Sequence, residues 1–278
     1  MQYATPLYET VESHRAWAAQ QDARIPIGFP FFDQRTGGVA LGEMMMFLAR
    51  SGVGKTAWAC NVAANLRRVP QVFFSLEMQG RYIAQRTAAI HCNVPTKHIE
   101  WDLRNHGESS ALDQLVRDFP YLSVIDKPGM TLRQMGEALD EVSEMWRGVK
   151  PRIVIIDYLE LIKAASMSAV EGVDGVSRKL KDFAREHDCA VVVLHQLNAA
   201  GGEGWEPVKR THARYGGDVA ADYTLAAYRP SLKPDAYNDG GIWLQFLKTR
   251  TDGGLHPGGV WHSFDEATLR IRPPSGPQ

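Results

Sequence analysis

Residues 49–56 read ARSGVGKT. The spacing fits a phosphate-binding loop, G-x-x-x-x-G-K-[ST], except that Ala49 stands at the first glycine. Such a loop aims successive backbone N–H groups at one point and makes a nest for phosphate oxygens. Gly52 and Gly54 have no side chain to block the approach or to forbid positive φ. Lys55 is placed to reach the β- and γ-phosphates of a nucleotide, and the Thr56 hydroxyl to hold Mg2+. The expected binding set is Ser51, Gly52, Val53, Gly54, Lys55, Thr56 and Ala57. Ala49 adds one methyl group, which the loop accepts if that position has an ordinary φ.

A phosphate cradle alone only binds. Hydrolysis also needs a metal-positioning carboxylate and a group that orients water. RIVIIDYLEL (residues 152–161) supplies Asp157 at the end of an apolar run. A carboxylate there is costly to bury without a partner, and a Mg2+ shell is the natural one. VFFSLEM (residues 72–78) supplies Glu77, which could polarise the attacking water. Glu160 competes for that role; Glu77 is preferred because it leaves the strand next in sequence to the phosphate loop. VVVLHQLN (residues 191–198) offers Gln196, whose amide could sense a γ-phosphate, while His195 reads as structural.

These groups need a frame. Continuous apolar runs at Met44 to Leu48, Val72 to Phe74, Tyr121 to Ile125, Ile153 to Ile156 and Ala190 to Leu194 predict strands buried on both faces. Helix-like stretches at 56–68, 80–92, 110–118, 131–147 and 173–187 separate them. The alternation predicts an α/β fold with a doubly wound, mostly parallel sheet, whose strand C-termini gather the ligand. Stretches 223–229, 242–248 and 259–272 read as strands without intervening helices, an antiparallel edge. Residues 8–24 read as an amphipathic helix carrying Val11, Trp17 and Ala18, packed on its own domain or on a neighbour. The expected division is a helix at 1–24, one domain at 25–272 and a flexible tail at 273–278.

The 278 residues carry a formal charge of −1, so any nucleic-acid site must be a local patch or be shared between subunits. Cys60, Cys92 and Cys189 are scattered, which argues against a zinc finger or disulfide scaffold and fits a reducing cytoplasm. There is no apolar run of about 18 residues and no apolar stretch of signal-peptide type at the N-terminus. The expectation is therefore a cytoplasmic protein with no membrane association.

Together these segments resemble the C-terminal ATPase domain of DnaB-type replicative helicases, a branch of the RecA-like ATPases, in a phage or mobile-element version. IGFPFFDQRTGG is similar to the family's G-F-x-x-L-D-x-x-T-G-G, and FSLEM is identical to a family element. ARSGVGKT is similar to A-R-P-x-M-G-K-T, so the leading alanine is the family's own variant, with Ser51 in place of proline. Arg86 falls on a family arginine; IIDYLEL is similar to I-D-Y-L-Q-L, LHQLN to L-S-Q-L-N, and KTRTDG to K-x-R-N-G. The match covers roughly residues 25–272. Only about two dozen residues precede it, so no primase-interacting domain is expected here.

The resemblance implies a RecA-like motor on single-stranded DNA, a helicase or translocase that hydrolyses ATP with Mg2+ between subunits. It implies a ring, usually a hexamer, with DNA in the channel, other replication or recombination proteins as partners, and a host cytoplasm if the chain is phage-encoded. Lys248 and Arg250 match the family's pair that reaches the γ-phosphate of the neighbouring subunit, and alternation along FLKTRTD puts both on one strand face. The helix at 8–24 corresponds to a linker helix that docks on the adjacent subunit. DNA loops are expected at 163–175 and 199–217, the second with Lys209, Arg210 and Arg214 for phosphates and Trp205 for a base. HARYGGDVAADY (residues 212–223) departs from the family's D-L-R-x-S-G-x-I-E-x-D-A-D, which leaves substrate preference open. The alternatives are a RecA-like recombination or repair ATPase that binds DNA without unwinding, and a nucleotide-switched loader module. Nuclease chemistry would need a further carboxylate cluster, to which Asp218 and Asp222 could contribute.

Overall fold

The computed structural model describes residues 4–20, 22–163, 169–197, 203–209, 220–250 and 256–274. Helix α1 (Leu7–Ala18) buries none of its residues. It stops short of the expected residue 24, because β1 (Arg24–Ile25) already pairs with β2 (Val39–Ala40) in a small antiparallel sheet. Between these strands lies α2 (Pro30–Thr36), which was not expected from the sequence. Pro30 begins it, Gly37 ends it at φ 72°, and the Asp33 carboxylate accepts the Ile27 and Gly28 N–H groups at 2.9 and 2.8 Å.

The main elements follow in strict order. Strand β3 (Met44–Ala49) leads to α3 (Lys55–Asn65), then β4 (Gln71–Ser75) and α4 (Gly80–Cys92). Next come α5 (Thr96–His106), α6 (Ser110–Asp118) and β5 (Leu122–Ile125). Helix α7 (Leu132–Met145) starts from a capping box of Thr131 and Gln134 and leads to β6 (Ile153–Asp157). Helix α8 (Ala169–Glu186), β7 (Ala190–Gln196), β8 (Tyr223–Tyr228), β9 (Gly241–Lys248), β10 (His256–Asp265) and β11 (Arg270–Arg272) complete the described chain.

The nine strands from β3 onward form one sheet in the order β11-β10-β9-β8-β3-β7-β6-β4-β5. Strands β8, β3, β7, β6, β4 and β5 are parallel, and β9, β10 and β11 run antiparallel. The antiparallel edge thus begins one strand later than expected, since β8 lies parallel to β3. The stretch read as one strand at 259–272 is two strands that fold back on each other.

Continuous apolarity has the expected cause. Along β3, Met45, Phe47 and Ala49 face a core shared with α3, and Met44, Met46 and Leu48 face a core shared with α7 and α8. Phe47 lies flat on Trp58 of α3, with ring centroids 3.9 Å apart and planes 6° from parallel. Trp58 has no solvent exposure, so this stack fixes the helix that begins at the phosphate loop. Trp58→Ala is expected to destabilise the fold by about 3–5 kcal/mol through cavity formation. Urea unfolding measures this, and a loss below about 1 kcal/mol would show that the stack does not anchor α3.

Candidate active site

Ala49 is the last residue of β3 and pairs in register with Gln196 of β7. Its backbone is extended, so the position that is usually glycine needs no glycine here. The turn behind it closes through the Val53 N–H to the Arg50 carbonyl at 3.3 Å. Gly52 (φ 82°) and Gly54 (φ 116°) take up the left-handed backbone that the turn requires. A Cβ on Gly52 would touch nothing within 4 Å, so conformation rather than space dictates glycine there. Helix α3 then starts at Lys55 with no side-chain cap and no acidic residue in its first turn. Its first N–H groups and its positive dipole end are left for an anion.

Two strands to the side, β6 delivers Asp157. The Thr56 hydroxyl donates to Asp157 Oδ2 at 2.7 Å. Asp157 is 1% exposed, and its Oδ1 is buried with no hydrogen-bond partner among the described residues. Burial pushes the Asp157 carboxyl above its usual range, with Glu77 adding repulsion, against the Thr56 hydrogen bond and the charges of Lys55 and Arg86. Burial depresses Lys55, while Asp157, Glu160 and Glu77 hold it up. A hydroxyl touching a carboxylate that still has an unsatisfied oxygen is a hard-oxygen donor set, and it fits Mg2+.

Ser75 at the end of β4 pairs with Asp157, and the Leu76 N–H donates to the Asp157 carbonyl at 2.8 Å. Glu77 therefore emerges beside the Asp157 carboxylate, exposed on the rim of a cleft of about 510 Å³. Glu160 turns elsewhere: its Oε1 accepts the Gln196 N–H at 3.0 Å and lies 3.2 Å from Nδ1 of the buried His195. Glu160 therefore braces the end of β7, where Gln196 sits opposite Ala49.

Ser51, Gly52, Gly54, Lys55, Thr56, Ala57 and Glu77 line the cleft together with Arg86. Val53 does not, because its side chain packs in the core. The far wall is Arg229, Phe264, Glu266 and Leu269, none of them expected from sequence. Arg229 pairs with Glu266 and lies 4.8 Å over the Phe264 ring. No local motif marks these residues; β8 to β11 bring them in by pairing.

Lys248 and Arg250 are not at this cleft. Lys248 pairs with Thr224, which lies beside Met46, so β9 carries its lysine toward the starting end of β3. Met46 stands three residues, about 10 Å, before Ala49 at the head of the phosphate loop. Strand β9 also ends at Lys248, so strand alternation does not place Arg250, as was expected. Arg250 instead bonds Asp222 at 3.3 Å, just before β8. Trp205 is half-buried and Lys209 exposed, while Arg210, Arg214, Asp218 and most of the expected loop at 199–217 lie outside the described residues. Of the loop expected at 163–175, residues 164–168 lie outside them and the rest from Ala169 on is helix α8 rather than loop. Gly204 packs against the phosphate loop: a Cβ there would come within 2.9 Å of Val53. Among the described residues no cluster of three or more His, Cys, Asp or Glu side chains could hold a metal.

Residues 24–207 match the family model of the DnaB-like helicase C-terminal domain. The chain belongs to this family. It is 34% identical over 186 residues to the replicative DNA helicase DnaB of Leifsonia xyli, covering 63% of this chain and 39% of that one. It is 31% identical over 181 residues to DnaB of Treponema pallidum, covering 62% and 40%. The chain thus spans less than half the length of these curated relatives. In fold it is similar to a solved ATPase domain, with a TM-score of 0.83 at 22% identity over 98% of this chain and 100% of that one. It also resembles a DnaB-like replicative helicase whose structure was described with its primase interactions (TM-score 0.80, 21% identity, 99% of this chain and 68% of that one). These likenesses show a RecA-like helicase ATPase fold.

Because the folded-state pKa of Asp157 is raised above the ordinary 3.8, protonation favours the nucleotide-free fold. That stabilisation is complete below the ordinary value and is lost as pH rises through the raised one. Affinity for Mg2+-nucleotide runs the other way and falls with pH, because binding must expel the proton. Calorimetry in mildly acidic solution, in two buffers of different ionisation enthalpy, should register proton release that Asp157→Asn abolishes. Equal release from the variant would assign the proton to another group.

Proposed function

We propose that this chain is the ATPase core of a DNA-dependent motor of the DnaB type, hydrolysing ATP in sites shared between copies. One observation carries the reading: the phosphate loop leaves the finishing end of β3, whereas Arg250 bonds Asp222 beside Met44 at the starting end. One copy cannot bring its own Arg250 to its own nucleotide, so a second copy must complete the pocket. Helix α1 supports this, since it exposes Leu7, Tyr8 and Val11 and buries nothing in its own chain.

In this reading the loop N–H groups and Lys55 hold the triphosphate, and Arg229 with Phe264 forms the wall facing the base. Thr56 and Asp157 would hold Mg2+, which supplies charge neutralisation on the phosphate oxygens. Glu77 accepts the proton of the attacking water, and Gln196 senses the γ-phosphate from the end of β7. Lys248 and Arg250 of a neighbour neutralise the charge developing on the transferred phosphoryl group. Single-stranded DNA is the proposed track, with Trp205, Lys209, Arg210 and Arg214 as contacts in a ring of six. The described part of that loop rests on the phosphate loop through Gly204, a path by which hydrolysis can move DNA. Among the described residues no helix is long and apolar enough to cross a membrane. The cytoplasm is the proposed place of work.

Lys55→Ala should abolish hydrolysis. Arg250→Ala should retain nucleotide binding and lose about 10³-fold or more in turnover. Mixing the two inactive variants should restore part of the rate, because some interfaces then pair an intact Lys55 with an intact Arg250. Arg250→Ala turning over at the normal rate would end the shared-site model. Unwinding of a forked duplex separates a helicase from a DNA-stimulated ATPase that does not unwind, and ATPase indifferent to DNA would indicate a loader-type switch.

A further inference from the structure

We propose that Asp222 is a docking carboxylate for Arg250, holding its guanidinium within its own chain and so restraining basal ATP turnover. This rests on the shared-site reading above. Asp222 immediately precedes β8, and its side chain is 9% exposed. Its Oδ2 accepts the Met44 N–H at 2.8 Å and the Lys181 ammonium of α8 at 2.6 Å. Its Oδ1 accepts from Arg250 at 3.3 Å.

The three bonds differ in kind. Met44 N–H belongs to the sheet and cannot leave. Lys181 is short-range, largely buried, and also donates to the Gly42 carbonyl at 2.6 Å. These two donors both hold Oδ2 and keep the buried charge paired with Lys181, while Arg250 bonds Oδ1. Arg250 makes the longest contact from a side chain that is 52% exposed. It can therefore depart without leaving Asp222 as an unpaired buried charge. Arg24, Arg185 and His14 line the same cleft; of these Arg24 is committed to Glu43 at 3.0 and 3.2 Å.

The arrangement sets a sequence of partners for one guanidinium. Facing no triphosphate, Arg250 rests on Asp222. Facing one, it must give up that ion pair before it can stabilise the transition state. The ion pair weighs on the barrier rather than on nucleotide affinity, because the finger acts mainly in the transition state. Asp222 is thus a positioning residue and touches no substrate.

Asp222→Asn should raise ATPase without DNA about threefold to tenfold and leave ATP affinity within about twofold, the scale of one partly exposed charged hydrogen bond. The double variant Asp222→Asn/Arg250→Ala should remain as inactive as Arg250→Ala. Labelling with phenylglyoxal, read by mass spectrometry on nucleotide-free protein, should show Arg250 reacting several-fold faster in Asp222→Asn relative to the exposed Arg133. Lys181→Gln keeps Asp222 but removes its competing cation, so it should slow both basal turnover and Arg250 labelling, and it carries the test if Asp222→Asn does not fold. An unchanged or lower basal rate in Asp222→Asn, or unchanged labelling, overturns the docking role even if Arg250→Ala is inactive. A fully active Arg250→Ala would instead bring down the shared site itself.

Discussion

The contact between the Thr56 hydroxyl and Asp157 is the constraint around which the rest is arranged. It asks a strand buried on both faces to finish on a carboxylate with 1% exposure and one oxygen lacking a protein partner among the described residues. Apolar packing alone does not tolerate that. The sheet accommodates it by placing β7 between β3 and β6, so that an uncapped helix start and a lysine stand beside the acid. Each ionisable group there is held away from its solution behaviour by burial and drawn back by the other. Such a pair is poised to be relieved by a cation and a polyanion arriving together, which is what a metal-bound triphosphate is.

How much of this could be read from the amino acids depended on range. Strands β3, β4, β6 and β7 were legible because burial on both faces leaves an unbroken apolar run. The alanine at the head of the phosphate loop was legible as harmless, and the extended backbone at Ala49 gives the reason. Helix α5 was not legible, because Ile99 is its only buried residue and no apolar stripe marks it. Helix α2 was hidden in seven residues that open on proline among turn glycines. Arg229, Phe264 and Glu266 were out of reach for another reason: their place at the cleft is created by strand pairing between distant segments, and no local pattern encodes it. Arg250 was placed by family resemblance alone, and its contact with Asp222 had no sequence signal.

The family model ends at residue 207, yet Arg229, Lys248, Arg250, Phe264 and Glu266 all lie beyond it. The part of the chain that matches holds the proposed phosphate and metal ligands. The antiparallel edge supplies the wall of the cleft and the basic pair. Divergence in that edge can alter what is bound and how turnover is restrained while the hydrolytic centre stays the same.

The separation of Lys55 from Arg250 along the strands also has a geometric consequence. In the proposed shared site the two halves meet only when the front of one protomer touches the back of the next. Such a contact is heterologous and has no two-fold axis, so a pair always leaves one face open. Growth therefore stops only when the rotation between successive copies brings the last onto the first. A small change in the angle of that joint would turn a closed circle into an open spiral without altering any residue of the catalytic centre.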